Sequence, residues 1–315
     1  MSRPIITVFG ATGAQGGGLA RAILGDRDRR FALRAVTRKP DGDAARALSD
    51  AGAEIVVADL DDTCSVQRAL EGAYGAFFLT NFWEHFSPEQ ELAQAYGMAT
   101  AAAQAGIRHA IWSTLEDTRE LIPVDGIRMP VLQGKYNVPH LDAKGEANRF
   151  FAQQRVPTTY LYTSCYWENL IHFGLGPKRR VDGSLAVAFP TGEKQIPWIA
   201  AEDIGRSAYG IFLRGESQIG QSIGVAGDHL TGAQMAAHLT AALGQLVAYD
   251  AVTPDAYRAL GFPGADELGN MFQFKRDFQE RFCSRRDLEQ SRALNPQMST
   301  FPQWLAQNKT RLPLQ

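Results

Sequence analysis

The sequence predicts an α/β protein with a doubly wound parallel sheet and a smaller C-terminal α+β lobe. Three observations carry that reading. Strand-like and helix-like patterns alternate from residue 5 to residue 163. The first strand breaks into a glycine-rich turn that opens a helix. Beyond residue 163 the alternation loosens into a stretch rich in aromatics, Gly and Pro, followed by mostly helical patterns. Alternation of this kind makes parallel strands with helices on both faces, and right-handed crossovers make the sheet doubly wound.

Taken in order, residues 5–9 (IITVF) are short, apolar and glycine-bounded, so they read as a buried strand, and residues 19–24 as the helix after the turn. Residues 31–37 (FALRAVT), 54–58 (EIVVA), 75–80 (GAFFLT), 109–113 (HAIWS) and 158–163 (TTYLYT) supply five more strands. Helices are predicted between them at 43–51, 65–70, 88–105 and 138–154. A hairpin is expected around Asp182-Gly183. Later helices are expected at 232–243, 254–260, 265–281 and 301–307, and Asp203 reads as a helix N-cap. No repeat, low-complexity tract or composition break marks a linker. The nucleotide-type domain is therefore expected over 1–163, with 196–228 returning to it. The segments 164–195 and 229–315 form the lobe that caps it.

Composition narrows the function classes. The 315 residues are 45% hydrophobic and 21% charged, ordinary for a globular chain with a full core. Lys+Arg 32 against Asp+Glu 34 leaves a formal net charge of −2, which argues against a generally basic nucleic-acid binder. Cys64, Cys165 and Cys283 lie far apart and form no metal-type cluster, which reads as a reduced, cytoplasmic setting with no metal site. No apolar run reaches the ~18 residues of a transmembrane helix. The N-terminus enters its first strand at once, so neither a signal peptide nor membrane association is expected.

The glycine turn is the first candidate site. Gly10, Gly13 and Gly16 follow the opening strand at GxxGxxG spacing, with Ala11, Thr12, Ala14 and Gln15 between them. Strand, glycine turn and helix are the context that a dinucleotide fingerprint of the Rossmann fold requires. The turn brings backbone close to a pyrophosphate, and the helix N-terminus offers unpaired N–H groups and a positive dipole end.

In such sheets ligands lie at the carboxyl ends of the strands, so each strand end adds candidates. Strand two ends Val36-Thr37-Arg38-Lys39 where an NAD-selecting acid would stand. Arg38 offers a planar fork for a 2′-phosphate with Lys39 as a second cation, which favours NADP(H). Asp59-Leu60 after strand three meets the adenine edge, or else Asp59 is an acid opening the next helix. Thr80-Asn81-Phe82 after strand four passes beside the nicotinamide ribose, or serves as turn chemistry. Ser113, with Thr114, ends strand five, facing a reacting carbonyl or bonding to local backbone. His140 and Lys144 share a helix face, with Lys144 placed to hold ribose hydroxyls. Tyr166-Trp167-Glu168-Asn169 either walls the nicotinamide or packs the lobe.

GATGAQGG, VTRKP, TNFWE, HLDAKGE, CYWENL and GFPGADELGNMFQF together resemble the NmrA-like family, a branch of the atypical short-chain dehydrogenases, in order over nearly the whole chain. The resemblance implies NADP contacts at Gly10 to Gln15, Arg38 and its followers, Asp59-Leu60, Thr80 to Phe82, Lys144 and Tyr166 to Asn169. Short-chain dehydrogenases carry Tyr-x-x-x-Lys with the tyrosine as proton donor. Here His140 stands at the tyrosine position, in His-Leu-Asp-Ala-Lys. Sensor-type members of the family also lack that tyrosine, so the resemblance implies a redox-sensing regulatory protein with little dehydrogenase activity. The alternative is an NADPH-dependent reductase of a small carbonyl or aromatic substrate, with Lys144 and His140 catalytic. A protein partner, a substrate and the oligomeric state, a homodimer among the choices, stay open.

Overall fold

The computed structural model describes residues 3–314. They divide into two compact units. The first comprises residues up to 117, 140–163 and 201–223; the second comprises 118–139, 164–200 and 224 onward.

The first unit opens with β1 (Ile5–Val8), α1 (Ala14–Leu24), β2 (Ala32–Thr37), α2 (Asp43–Asp50), β3 (Glu54–Val57) and α3 (Thr63–Leu70). It continues with β4 (Gly75–Phe78), the one-turn α4 (Phe82–His85), α5 (Pro88–Gln104), β5 (His109–Thr114), α6 (Pro139–Gln153) and β6 (Thr158–Tyr162). The sheet has seven strands, ordered Ser222–Gly224, β6, β5, β4, β1, β2, β3, and β1 to β6 pair in parallel. This is the doubly wound arrangement that the alternating patterns predict. The strand order reverses between β1 and β4, the place where loops diverge to leave a crevice. Register brings the loops level: Val8 lies beside both Ala35 and Phe77, Thr37 beside Val57, and Phe78 beside Trp112.

One face of the sheet is closed by α3, α5 and α6 over Phe9, Val36, Phe78, Trp112, Met98 and Phe151, all buried. Phe78 stacks on Phe9 at 5.2 Å and meets Phe151 at 5.7 Å. On the other face α1 packs against the helix Ala201–Arg214 so closely that a Cβ on Gly205 would sit 2.1 Å from the Leu19 nitrogen. That helix corrects the reading of Asp203. Asp203 lies in the first turn and not at the cap, fully buried, with Arg206 Nη1 donating to it at 3.0 Å.

The second unit holds two small sheets, ordered Asp228–Leu230, Ile196–Ile199, Cys165–Tyr166 and Val247–Ala251, Leu185–Phe189, Lys178–Arg179. The hairpin expected at Asp182-Gly183 joins Lys178–Arg179 to Leu185–Phe189, with Gly183 at φ +84 in the left-handed region. Residues 118–139 belong to this unit, whereas the sequence reading grouped them with the nucleotide domain. Asn270 Nδ2 donates to the carbonyls of Pro130 and Asn137, tying the segment to the helix Ala265–Asp277. The helix expected over 265–281 breaks at Phe278 into Ala265–Asp277 and Gln279–Ser284. Apolar residues continue through the break, so periodicity does not reveal it. Among the described residues no helix is long and apolar enough to cross a membrane.

Candidate functional site at the carboxyl ends of the strands

The loop after β1 is shaped by backbone demands. Gly10 has φ +62, a conformation that glycine adopts without a Cβ clash, and its carbonyl accepts from the Gly13 N–H at 2.9 Å. At Gly16 a Cβ would lie 2.3 Å from the Gly10 oxygen, so only glycine lets α1 begin directly over the turn. Gly13 occupies the N-cap without a side-chain cap, and the first turn of α1 carries no acid. The loop that leads into this turn, Thr12, Gly13 and Ala14, is exposed, and a helix N-terminus of this kind is a natural place for an anion. Gln15 is buried and its Oε1 accepts from Ser113 Oγ at 2.8 Å, so Ser113 braces the glycine helix. Thr114 Oγ1 points instead to α6, donating to Asn148 Oδ1 at 2.7 Å with Lys144 O as the alternative acceptor at 3.0 Å.

After β2, Arg38 extends its guanidinium to Glu84, Nη1 to Oε1 2.6 Å. The Glu84 hydrogen bond, reinforced by the charges of Glu84, Asp59 and Asp61, raises the arginine's pKa against the opposing effect of burial. Arg38 reciprocally lowers that of Glu84. Lys39 is exposed beside it, its N–H donating to Thr37 Oγ1. Asp59 is exposed and turns its own loop, Oδ1 accepting from the Asp61 N–H at 3.0 Å, with half-buried Leu60 between them. Asp62, not Asp59, caps α3.

After β4 the chain passes through Thr80 and exposed Asn81 into α4, and here the structure adds residues that sequence reasoning missed. Glu91, in the first turns of α5, is fully buried. Lys144 Nζ lies 2.5 Å from Glu91 Oε1 and donates to Thr80 O at 3.0 Å and Thr80 Oγ1 at 2.6 Å. Thr80 Oγ1 in turn donates to Glu91 Oε1. An ammonium has three N–H donors, and these three acceptors match them. His85 Nδ1 accepts from the Ser87 N–H, so its Nε2 carries the proton, 3.6 Å from Glu91 Oε2. The signal for Glu91 was present: it falls on the stripe of Ala95, Met98 and Ala102 that α5 buries, and a carboxylate on such a stripe needs a cation.

His140 is on the same helix as Lys144, buried, with its ring 4.9 Å from Trp83 and 5.9 Å from Phe82. Phe82 is itself buried, and Phe86, which ends α4, has φ +55, uncommon for a bulky side chain. The first unit thus brings together the glycine loop, Arg38, Lys39, Asp59, Leu60, Thr80 to Phe82, Ser113, His140 and Lys144.

Tyr166 to Asn169 belong to the second unit. Tyr166 is half-buried in the strand Cys165–Tyr166. Trp167 is fully buried against Phe301 at 5.4 Å and Trp304 at 6.1 Å. Glu168 accepts from Trp304 Nε1 at 3.0 Å, and Asn169 opens a one-turn helix.

The parallel sheet, with its glycine turn and loops gathered where the strand order reverses, defines a Rossmann-type α/β protein. A family profile described as NmrA-like family matches residues 2–305, and the chain belongs to that family. It is 29% identical over 283 residues to the NmrA-like family domain-containing oxidoreductase FrzB of Cladobotryum sp, spanning 86% of this chain and 83% of that one. It is 30% identical over 262 residues to the NmrA-like family domain-containing oxidoreductase notA' of Aspergillus versicolor, spanning 74% and 68%. Among solved structures it is similar in fold to NmrA, a negative transcriptional regulator, in complex with NADP, with TM-score 0.75, 21% identity and coverage of 97% and 95%. It is also similar in fold to the Citrobacter sp. triphenylmethane reductase complexed with NADP(H), with TM-score 0.73, 16% identity and coverage of 96% and 99%.

Proposed function

We propose that this protein binds NADP(H) across the carboxyl ends of β1, β2 and β4 and acts as a redox-responsive regulatory protein with little dehydrogenase chemistry of its own. One observation carries the choice of NADP over NAD. Arg38, with Lys39 beside it, stands where an NAD site places an acid, and its fork is held at the mouth of the site by an exposed carboxylate. The residues present fit the cofactor in other respects. The uncapped first turn of α1 suits the pyrophosphate, and a Cβ-free Gly16 lets that turn approach. When bound, the nicotinamide supplies a transferable hydride. Structural relatives solved with NADP, and NmrA solved also with NAD, support a nicotinamide dinucleotide at this site.

The regulatory half of the reading rests on the lysine. Its three donors are already engaged by Thr80 and Glu91, and the residue at the phenol position is an imidazole clasped by Trp83 and Phe82. Positioned proton transfer contributes typically 10²–10⁴-fold, so a site without it works near a background rate. A reductase is the second reading, favoured by the relatives FrzB and notA', both NmrA-like family domain-containing oxidoreductases, and by His140 sharing a helix with Lys144. Calorimetry with NADPH, NADP⁺ and NADH, followed by NADPH-oxidation screening against aldehydes, ketones and quinones, tests both. Tight NADPH binding with negligible oxidation is expected. Turnover of about 1 s⁻¹ or faster, abolished by His140→Ala, overturns the regulatory reading and makes His140 the acid.

A further inference from the structure

The second unit places a buried amine against a buried thiol, a feature that the nucleotide reading does not use. Lys275, near the end of the helix Ala265–Asp277, sets its Nζ 2.9 Å from Cys165 Sγ. The two residues are 4% and 7% exposed. Among the described residues the other contact of that ammonium is the Phe282 ring, 5.3 Å away. A lysine in the last turn of a helix ordinarily runs its stem over apolar surface and keeps its head in water. Burying the head is costly without a counter-charge, and the group it meets here is sulfur rather than a carboxylate. Sulfur is a nucleophile toward peroxide and nitrogen a nucleophile toward an oxidised sulfur, and here the two stand in hydrogen-bonding contact.

We propose that Cys165 and Lys275 form a covalent modification site closed by peroxide. The sulfur attacks one oxygen of hydrogen peroxide, the O–O bond breaks and water leaves, giving the sulfenic acid. Sulfur is oxidised by two electrons and the peroxide is reduced by two. The Lys275 amine then attacks that sulfur with its lone pair. The S–O bond breaks, the departing hydroxide takes a proton from nitrogen, and a second water leaves a sulfur–nitrogen link. Thiol, amine and one peroxide thus become the cross-link and two waters. Peroxide is small enough to reach the pair during local opening. A thiol reductant reverses the link by attacking its sulfur. The link would join the strand Cys165–Tyr166 to the helix Ala265–Asp277 across a separation of 110 residues.

The test uses the full chain carrying Cys64→Ser, which removes the exposed thiol. After hydrogen peroxide, proteolysis and mass spectrometry should find one joined peptide containing Cys165 and Lys275, lighter by two hydrogens than its parts. It should disappear with dithiothreitol and be missing from Cys165→Ser and Lys275→Met. Closing so long a loop should raise Tm by about 5 °C, and Lys275→Met should abolish that rise. Cys165 recovered as sulfinic or sulfonic acid with no joined peptide, in protein that keeps its native circular dichroism, overturns the proposal. So does a link through Cys283, whose thiol burial pushes up. The mapping of the Lys275-containing protein decides the matter even if Lys275→Met fails to fold.

Discussion

Two carboxylate–cation pairs stand at strand ends of the first unit with nearly the same separation, and they differ in exposure to water. Arg38 and Glu84 meet at 2.6 Å with 58% and 45% of their side chains exposed. Lys144 and Glu91 meet at 2.5 Å with 12% and 0% exposed. Solvent competes for the first pair, and such contacts are worth about 0–1 kcal/mol, so Glu84 can yield to a stronger anion. In the second pair neither charge can be left alone, because its partner would remain buried and uncompensated. The exposed pair therefore suits ligand selection, and the buried pair fixes the frame around it.

Breaking the buried pair should have the largest effect. Glu91→Leu strands the Lys144 ammonium and should cost about 3–5 kcal/mol of stability, read from urea unfolding. Adding Lys144→Met should recover most of the loss, since an apolar replacement of both partners is often neutral. A single Glu91→Leu change of less than about 1 kcal/mol would show that the pair behaves like its exposed counterpart.

A buried group with no carboxylate in hydrogen-bonding contact sharpens the same contrast. His109, at the amino end of β5, lies edge-on to Phe212 at 5.2 Å with Nε2 2.9 Å from Thr159 Oγ1. Desolvation lowers its pKa to about 4, against a small opposing effect of Glu216. The unfolded chain takes up this proton near pH 6.5 and the folded chain only near 4. The unfolded state therefore binds more protons in between, and stability is lost as pH falls through that window. The loss should be on the order of 3 kcal/mol and should shrink in His109→Gln. A pH-independent difference between the two proteins from 6.5 to 4 would contradict this origin.

At the exposed pair, Arg38→Ala should weaken NADPH by roughly 1.5–3 kcal/mol through loss of a charge-assisted phosphate contact, with NADH nearly unchanged. Equal calorimetric affinities for NADPH and NADH in the unsubstituted protein would remove Arg38 from the specificity argument altogether.

What the sequence disclosed follows the same division. The strands β1 to β6 were legible because each is a short apolar run with a helix pattern after it, and Gly10, Gly13 and Gly16 because their spacing has a backbone reason. Arg38 was legible as the absence of an acid. Its partner Glu84 was not, since nothing in Phe82-Trp83-Glu84-His85 reveals that one helical turn aims a carboxylate back at β2. Glu91 left a trace on the α5 stripe, but the identity of its cation depended on α6 arriving from more than fifty residues away. In the second unit the strands Ile196–Ile199, Asp228–Leu230 and Val247–Ala251 stand outside the regular strand–helix alternation, and their pairing comes from distant segments.

The smallest expected effect is the most discriminating. Glu84→Gln keeps the shape of the side chain and removes the charge that competes with a phosphate for Arg38. Because the pair is exposed, stability should change by less than about 0.5 kcal/mol. NADPH affinity should rise by about 2–5-fold, the amount that up to ~1 kcal/mol of released pairing supplies. NADH, which lacks the phosphate, should not respond. The gain should shrink with added salt, since screening weakens the Glu84–Arg38 attraction that the variant removes. A fall in NADPH affinity would reverse the assignment. Glu84 would then be orienting the Arg38 fork toward the phosphate, and the exposed pair would be part of the frame like the buried one.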